Sequence, residues 1–245
     1  MSDGVAADLS RLARLPRKRI TTIFNAVDVN RIRELAVAPI TDGWFAEGAP
    51  PVLLAVGRLA PQKDYGTLLR AFALVRSHRR VRLVILGEGP ERDRLRDEAI
   101  ELGIAADFRM PGAVPNPYPH MTRARLLVMS SAWEGLPTVL MEALACGCPV
   151  VSTDCESGPR EILGADNTGT LVPVGDHGAL AAAILRMLEA APDRERLTRR
   201  AMAFSVDRVA ERYFDVLFDG HESCSHPQAA AREATTYSYE HLAPS

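Results

Sequence analysis

The sequence predicts an α/β protein built on a doubly wound parallel sheet. Three observations carry this. Short β-rich runs alternate with longer helical patterns about six times from residue 48 to 190. The runs are apolar almost throughout, as strands covered on both faces must be. Between them, connections of helical length join one strand to the next, as parallel pairing requires.

Each element has a local reason. "VLLAVG" (52–57) is the first fully apolar run. "DYGTLLRAFALVRSH" (64–78) follows, with Asp64 placed to cap and Leu68, Leu69, Phe72 and Val75 on one stripe. "VRLVILG" (81–87) is a second strand, and "PERDRLRDEAIELG" (90–103) a helix with Pro at its start and Gly beyond its end. Further strands are read at 107–112, 124–131, 149–153 and 169–174, with helices at 137–147 and 176–190 and a helical piece at 159–163. The pattern is Rossmann-like. Before it, residues 5–28 read as a helix, a strand "ITTIF" and a loop "NAVD", and 32–51 as a linker. After it, two helical patterns fill 191–220, the second with Val206, Val209, Tyr213 and Leu217 at helical spacing. The aperiodic end, 221–245, reads as a loose, disordered tail. One helix and one strand cannot bury a core alone, so 1–47 reads as the last unit and interdomain linker of something larger.

Composition narrows the function classes. The chain has 245 residues, 47% hydrophobic and 24% charged, enough for a sizeable core. A net charge of −2 argues against a nucleic-acid binder driven by phosphate neutralisation. Basic clusters at Arg11, Arg14, Arg17, Lys18 and Arg19, and at Arg76, Arg79, Arg80 and Arg82, read first as solvated faces, second as weak contacts for a membrane surface or an anionic acceptor. Cys146, Cys148, Cys155 and Cys224 form no zinc-spaced set. Neither a spanning segment nor a signal peptide is read, so the expectation is a reduced, cytoplasmic protein, with peripheral contact at the inner face of the membrane as an option.

In open parallel sheets ligands bind in the loops leaving the strands' carboxyl ends. The first such loop, "GRLAPQKD" (57–64), places Arg58 and Lys63 beside a helix N-terminus, where free N–H groups and two cations suit a diphosphate. The second, "GEGPERDRL" (87–95), lacks the third Gly of a dinucleotide fingerprint, and Glu88 would repel a pyrophosphate. A nicotinamide-dependent oxidoreductase is therefore disfavoured. The third is "WEGLPTVLMEALACGCPVV" (133–151). Glu134 falls in the loop, Pro137 near the first helical position and Glu142 in the second turn. Eight residues place the two carboxylates roughly 80° apart on a helix, so on one helix they would not share a face. Coming from loop and helix, they can instead grip hydroxyls on either side of an anion held by loop N–H groups near Gly135. A nucleotide sugar has that layout.

The stretches "GRLAPQKDYGTLLRAF", "LVILGEGPERDRL", "GAVPNPYPHMTRA" and "EGLPTVLMEALACGCPVVSTDCESGPREIL" resemble the C-terminal half of glycosyltransferase family 4, retaining nucleotide-sugar-dependent enzymes of the GT-B fold. The resemblance runs from about residue 5 to 218 and is nearest to transferases of lipopolysaccharide, capsule and other surface glycans. It implies that Arg58 and Lys63 hold the donor diphosphate, that Glu142 bonds the ribose hydroxyls and that Glu134 lies against the transferred sugar. Backbone at Gly135, Leu136, Pro137 and Thr138 would face sugar and phosphate, and backbone from Gly112 to Val114 the base. The catalytic set would be Glu134, Arg58 and Lys63. The donor would be a UDP-sugar, with GDP-sugar as the alternative, without cofactor or metal, since no Asp-x-Asp motif occurs. The partners implied are a glycan or lipid-linked acceptor and a separate N-terminal half carrying the acceptor site.

The sequence departs from the family in two places. Most of the first GT-B domain is missing, so the final helix, which in relatives crosses back onto that domain, should expose apolar surface. Arg125 stands where relatives often have Asp. A non-catalytic nucleotide-sugar-binding module derived from a transferase is the competing class, and other GT-B relatives such as sugar epimerases share the fold without sharing the reaction.

Overall fold

The computed structural model describes residues 1–164 and 168–218. The sequence-predicted tail at 221–245, with Cys224, lies outside the described residues.

Six parallel strands form one sheet: β1 (Val52–Val56), β2 (Arg82–Leu86), β3 (Phe108–Gly112), β4 (Leu126–Met129), β5 (Val150–Thr153) and β6 (Thr170–Val172). Their order is β3-β2-β1-β4-β5-β6, the doubly wound arrangement, which reverses direction between β1 and β4. The register pairs Leu53 with Leu83 on one side and with Leu126 on the other. All six carboxyl ends therefore open on one edge.

Alternate strand residues divide the core into two halves. Leu53, Ala55, Leu83, Ile85, Leu126 and Val128 face one layer. That layer is α3 (Tyr65–His78), α4 (Arg92–Glu101) and α8 (His177–Glu189), where Phe72, Leu95 and Ile184 are fully buried. Leu54, Val84, Leu86, Leu127 and Met129 face the other. It is built from α2 (Val29–Ala36), α5 (Tyr118–Arg123), α6 (Thr138–Ala145) and α9 (Arg194–Met202). Two-sided cover explains why the strands read as unbroken apolar runs. Two more helices belong to neither layer's centre: α1 (Asp3–Leu12) and the short α7 (Pro159–Leu163). The last, α10 (Val206–Phe218), buries only Val209. Tyr213, Phe214 and Leu217 are 52%, 63% and 70% exposed, the apolar surface expected of that helix.

Two local readings are corrected and one helix is added. "ITTIF" is not a strand: none of its residues enters a ladder with a described strand, and after it only Val27 makes a single bridge, to Ser205. A β-rich run without a neighbour has nowhere to place its backbone hydrogen bonds. The predicted loop and linker after it contain α2, capped by Asp28, whose carboxylate accepts from the Arg31 amide at 2.9 Å. Its Val29, Ile32 and Ala36 bury against the main core together with Trp44. The added helix is α5, between β3 and β4, a stretch for which the sequence pattern predicts no element.

Four of the nine cations in the basic clusters, Arg11, Arg17, Arg76 and Arg79, pair with the chain's own acids. Arg76 pairs with Asp107, and Arg79 with Glu189 at 2.5 Å. Arg82 stacks on Trp44, and Arg17 pairs with Asp3 at 2.6 Å. Arg125, the departure from its relatives, donates to the carbonyls of Leu188 and Ala190, both at 2.7 Å. It closes the C-terminal end of α8, where a cation also meets the negative pole of the helix. Among the described residues no helix is long and apolar enough to cross a membrane.

The loops at the open edge pack on backbone. A Cβ at Gly87 would stand 1.9 Å from the Gly57 carbonyl oxygen. Gly87→Ala should thus cost about 3 kcal/mol, the upper range for overpacking, because the obstructing atom is main chain. Urea unfolding monitored by circular dichroism would measure it.

Candidate functional site

The β1 and β4 exit loops meet at the point where strand order reverses. The β1 loop leaves through Gly57 and makes a 3₁₀ turn at Pro61–Lys63. It enters α3 through Asp64, a left-handed residue (φ 42°) whose carboxylate caps the helix at the Thr67 amide. The β4 loop is laid directly across it. The Ala132 amide donates to the Gln62 carbonyl at 2.8 Å, and the Ser130 hydroxyl to the Lys63 carbonyl at 2.7 Å. From the far side, the Thr153 hydroxyl on β5 donates to the Ser131 carbonyl at 2.6 Å.

This stitching brings Lys63 and Glu134 together. Lys63 Nζ lies 2.6 Å from Glu134 Oε1, with the side chains only 18% and 8% exposed. The Ser131 hydroxyl donates to the same oxygen at 2.7 Å, and Gln62 Nε2 to Oε2 at 3.3 Å and to the Trp133 carbonyl at 2.9 Å. Three donors from two loops hold the first carboxylate. Gln62, Ser130, Ser131 and Thr153 were not singled out from sequence, because hydroxyls and amides near a motif carry no periodic signal.

Glu142 is in the opposite state. It lies in the second turn of α6, largely buried, with no hydrogen-bond or ion-pair partner among the described residues. Burial raises its carboxyl above the ordinary value. Tyr118 on α5 is raised by its own burial and by the Glu142 charge. Burial pushes the Cys146 thiol up to about 12, with Glu142 adding to it. An acceptor without a donor is therefore held in a low-dielectric setting. It can serve vicinal hydroxyls.

Between the two carboxylates runs the Gly135–Thr138 turn. Pro137 is the N-cap rather than the first helical residue, and α6 has no side-chain cap, so its first amides are free for an anion. Gly158 supports the turn from below. Its φ is 93°, and a Cβ there would lie 2.4 Å from Pro137 Cδ. Arg58 projects into solvent from the same edge without a polar partner among the described residues. Gly112 (φ 105°) ends β3 beside Glu88, and Val114 packs half-buried in the same cluster as Tyr118, Leu136 and Val139. The sequence-predicted residues thus lie along one edge. The structure brings Lys63 and Glu134 into contact, and leaves Arg58 apart from both.

A groove of about 1010 Å³ lies elsewhere. It lies between the irregular Ile20–Phe24 segment and α9 and α10, lined by Arg17, Phe24, Arg199 and Arg212 among others.

One edge of a doubly wound α/β half-domain thus carries two carboxylates in contrasting states and the uncapped start of a helix. The profile for "Glycosyl transferases group 1" matches residues 41–204, and the chain belongs to that family. It is 33% identical over 213 residues to N-acetylgalactosamine-N,N'-diacetylbacillosaminyl-diphospho-undecaprenol 4-alpha-N-acetylgalactosaminyltransferase of Campylobacter jejuni, covering 85% of this chain and 56% of that protein. It is also 33% identical to the lipopolysaccharide core biosynthesis glycosyltransferase LpsE of Rhizobium meliloti, covering 87% of this chain and 62% of that one. The chain therefore spans less than two thirds of the length of these relatives. Among solved structures it superposes on the lipopolysaccharide outer core galactosyltransferase WaaB with a TM-score of 0.74 at 25% identity, over 89% of this chain and 60% of the other. It also superposes on Anabaena Alr3699/HepE in complex with UDP and glucose, with a TM-score of 0.76 at 22% identity, over 88% and 61%. The latter match speaks for the shared GT-B fold alone.

Two measurements probe the carboxylates. Lys63→Met leaves Glu134 desolvated with two of its three donors, so it should lose about 2 to 3 kcal/mol. The double variant Lys63→Met/Glu134→Gln should recover most of this in urea unfolding. Because the fold favours protonated Glu142, the native chain takes up a proton that the unfolded chain does not hold. This occurs between the ordinary carboxyl value and the raised one, so this contribution to stability falls as pH rises through that window. Glu142→Gln should accordingly melt higher than the wild type at pH 7. The gain should vanish below the ordinary carboxyl range, as scanning calorimetry at several pH values would show.

Proposed function

We propose that this chain is the donor-binding half of a retaining, nucleotide-sugar-dependent glycosyltransferase acting on a cell-surface glycan or lipid-linked acceptor. The observation that supports it is the contrast between the two carboxylates around the uncapped start of α6. Glu134 is fully satisfied and fixed. Glu142 is buried, unpartnered and shifted. Such a pair, with phosphate-binding amides between, fits a ligand that has hydroxyls at both ends and a diphosphate at its middle.

In this reading Glu142 accepts the ribose hydroxyls, the amides of the Gly135–Thr138 turn meet the diphosphate, and Glu134 takes a hydroxyl of the sugar. Lys63 is a flexible point charge, able to swing from Glu134 to the leaving diphosphate. Arg58, free at the edge, adds a second cation. Together with the α6 amides they stabilise the negative charge that develops as the sugar–phosphate bond breaks. The sugar acquires oxocarbenium character in that step. The base would lie at Gly112 to Val114, with UDP favoured over GDP. The acceptor site would come from a separate N-terminal half, and the groove beside Ile20–Phe24 is a place where such a half could dock. The competing reading, a binding module without turnover, draws on the partial coverage of the relatives.

A thermal-shift titration against UDP, GDP, UDP-hexoses, UDP-N-acetylhexosamines, GDP-mannose and NAD tests the donor site. Ligand at 100 times its dissociation constant should stabilise by about 2.7 kcal/mol. One nucleotide class should shift the transition, and Glu142→Ala should weaken it about tenfold or more, the value of hydrogen bonds to a charged acceptor. No shift with any nucleotide would overturn the reading. Turnover of the bound donor would decide against a mere binding module.

A further inference from the structure

We infer that Glu161 is a positioning residue for the sugar end of the site, acting by clamping the first turn of α1 against the loop that supports Gly135–Pro137. This rests on the donor reading above and adds to it a residue and a wall of the pocket.

One carboxylate joins two helix starts that are far apart in the chain. Glu161 Oε2 accepts from the Asp3 amide at 2.6 Å. Its Oε1 accepts from the Gly4 amide at 3.2 Å and from the Gly158 amide at 3.3 Å. Within α7 this is the glutamate half of a capping box, satisfying the otherwise orphaned Gly158 amide, since glycine has no side chain to return the bond. A capping glutamate on a five-residue helix would ordinarily stop there. Here the same group also neutralises the positive pole of α1, whose Ser2 cap is fully buried.

The contact surface has no slack. A Cβ at Gly4 would lie 2.4 Å from Ser157 Oγ and 2.9 Å from the Glu156 carbonyl. On the other side of that loop, a Cβ at Gly158 would strike Pro137 Cδ and approach Leu136 Cα at 3.1 Å. The position a Gly135 Cβ would occupy is 3.9 Å from Val5 Cγ2, which places α1 over the turn itself. The layers are therefore α1, the Glu156–Gly158 loop and the Gly135–Pro137 turn, each in van der Waals contact with the next. Glu161 is the polar group that ties the first to the second. Arg200 holds the far end, donating to the Glu161 and Ile162 carbonyls at 2.7 and 2.9 Å. Glu142 and Glu88, at the nucleoside side of the turn, make no part of this stack. Its effect should fall on the sugar and spare the nucleoside diphosphate.

Two variants approach the stack from opposite sides. Glu161→Ala removes the clamp. Gly4→Ala leaves Glu161 intact and favours the α1 helix intrinsically, but forces its first turn off Ser157. On the purified chain, NMR hydrogen exchange should show the Asp3 and Gly4 amides about tenfold less protected in Glu161→Ala. Retained protection would overturn the clamp. Calorimetry then compares the nucleoside diphosphate with the nucleotide sugar that binds the wild type best. Both variants should bind the diphosphate as the wild type does, and the nucleotide sugar about tenfold less tightly. An equal loss for both ligands would mark a merely structural residue and overturn the proposal, as would no loss for either. If the wild type binds neither ligand, the donor reading fails and this role falls with it. The exchange result would then still report separately on the clamp.

Discussion

The contact between the loops leaving β1 and β4 is the constraint on which the rest of the site depends. Parallel pairing puts every strand exit on one edge, but that alone gives only a row of unrelated loops. Strand order reverses between β1 and β4, so the helices that follow them pack on opposite faces and the two loops splay apart. Here they are pulled back together by a main-chain bond from Ala132 and a hydroxyl bond from Ser130, while Thr153 on β5 braces the β4 loop from the far side. The Lys63–Glu134 pair sits on top of that lattice. It could not form at 2.6 Å between loops free to drift, because ordering two long side chains has its own entropic cost.

The lattice also explains how Glu142 can be left unsatisfied. An uncompensated buried carboxyl costs stability, and a loosely held site would relax by swinging it into water. α6 gives it no such freedom: Leu140, Met141, Ala143 and Leu144, on both sides of it in sequence, are all fully buried in the core. The destabilisation is local and is offset by the closely packed layers beneath. Gly158 shows the same economy at the backbone level, since its positive φ and the absent Cβ let the Glu156–Gly158 loop lie flat under Pro137.

Much of this was legible in the sequence, for definite reasons. The six strands were, because a parallel strand buried on both faces has no polar residues to confuse its pattern. Lys63 and Glu134 were, because each sits at a strand-to-helix junction marked by Gly and Pro. The α2 helix carried its signal, with Asp28 as cap and Val29, Ile32 and Ala36 on one stripe, but its eight residues are short and mostly polar between those positions. "ITTIF" misled because β-branched residues report a preference for extended backbone, not the presence of a neighbour. Glu161 was half visible. Gly158-Pro159-Arg160-Glu161 is a recognisable helix start, whereas its bonds to Asp3 and Gly4 span more than 150 residues and leave no local trace.

That last case bears on how the N-terminal segment should be regarded. Residues 1–47 hold little core of their own, and as a sequence they look detachable. In the fold they are fastened at three separate places. Glu161 takes the start of α1, the Phe24 ring meets Phe204 edge-on at 5.8 Å, and the Val27 amide bonds the Phe204 carbonyl at 2.9 Å. Then α2 and Trp44 enter the main core. Each attachment falls on a different element, α7, the end of α9 or the sheet layer, so the segment cannot shift as one body without breaking contacts of different chemistry. A wall built this way beside Gly135 is rigid on the side where a sugar would have to be distinguished. The exposed face of α10 and the groove next to Ile20–Phe24, by contrast, border only one side of that same segment. The segment is therefore shared: one surface belongs to the site, and the opposite surface is open.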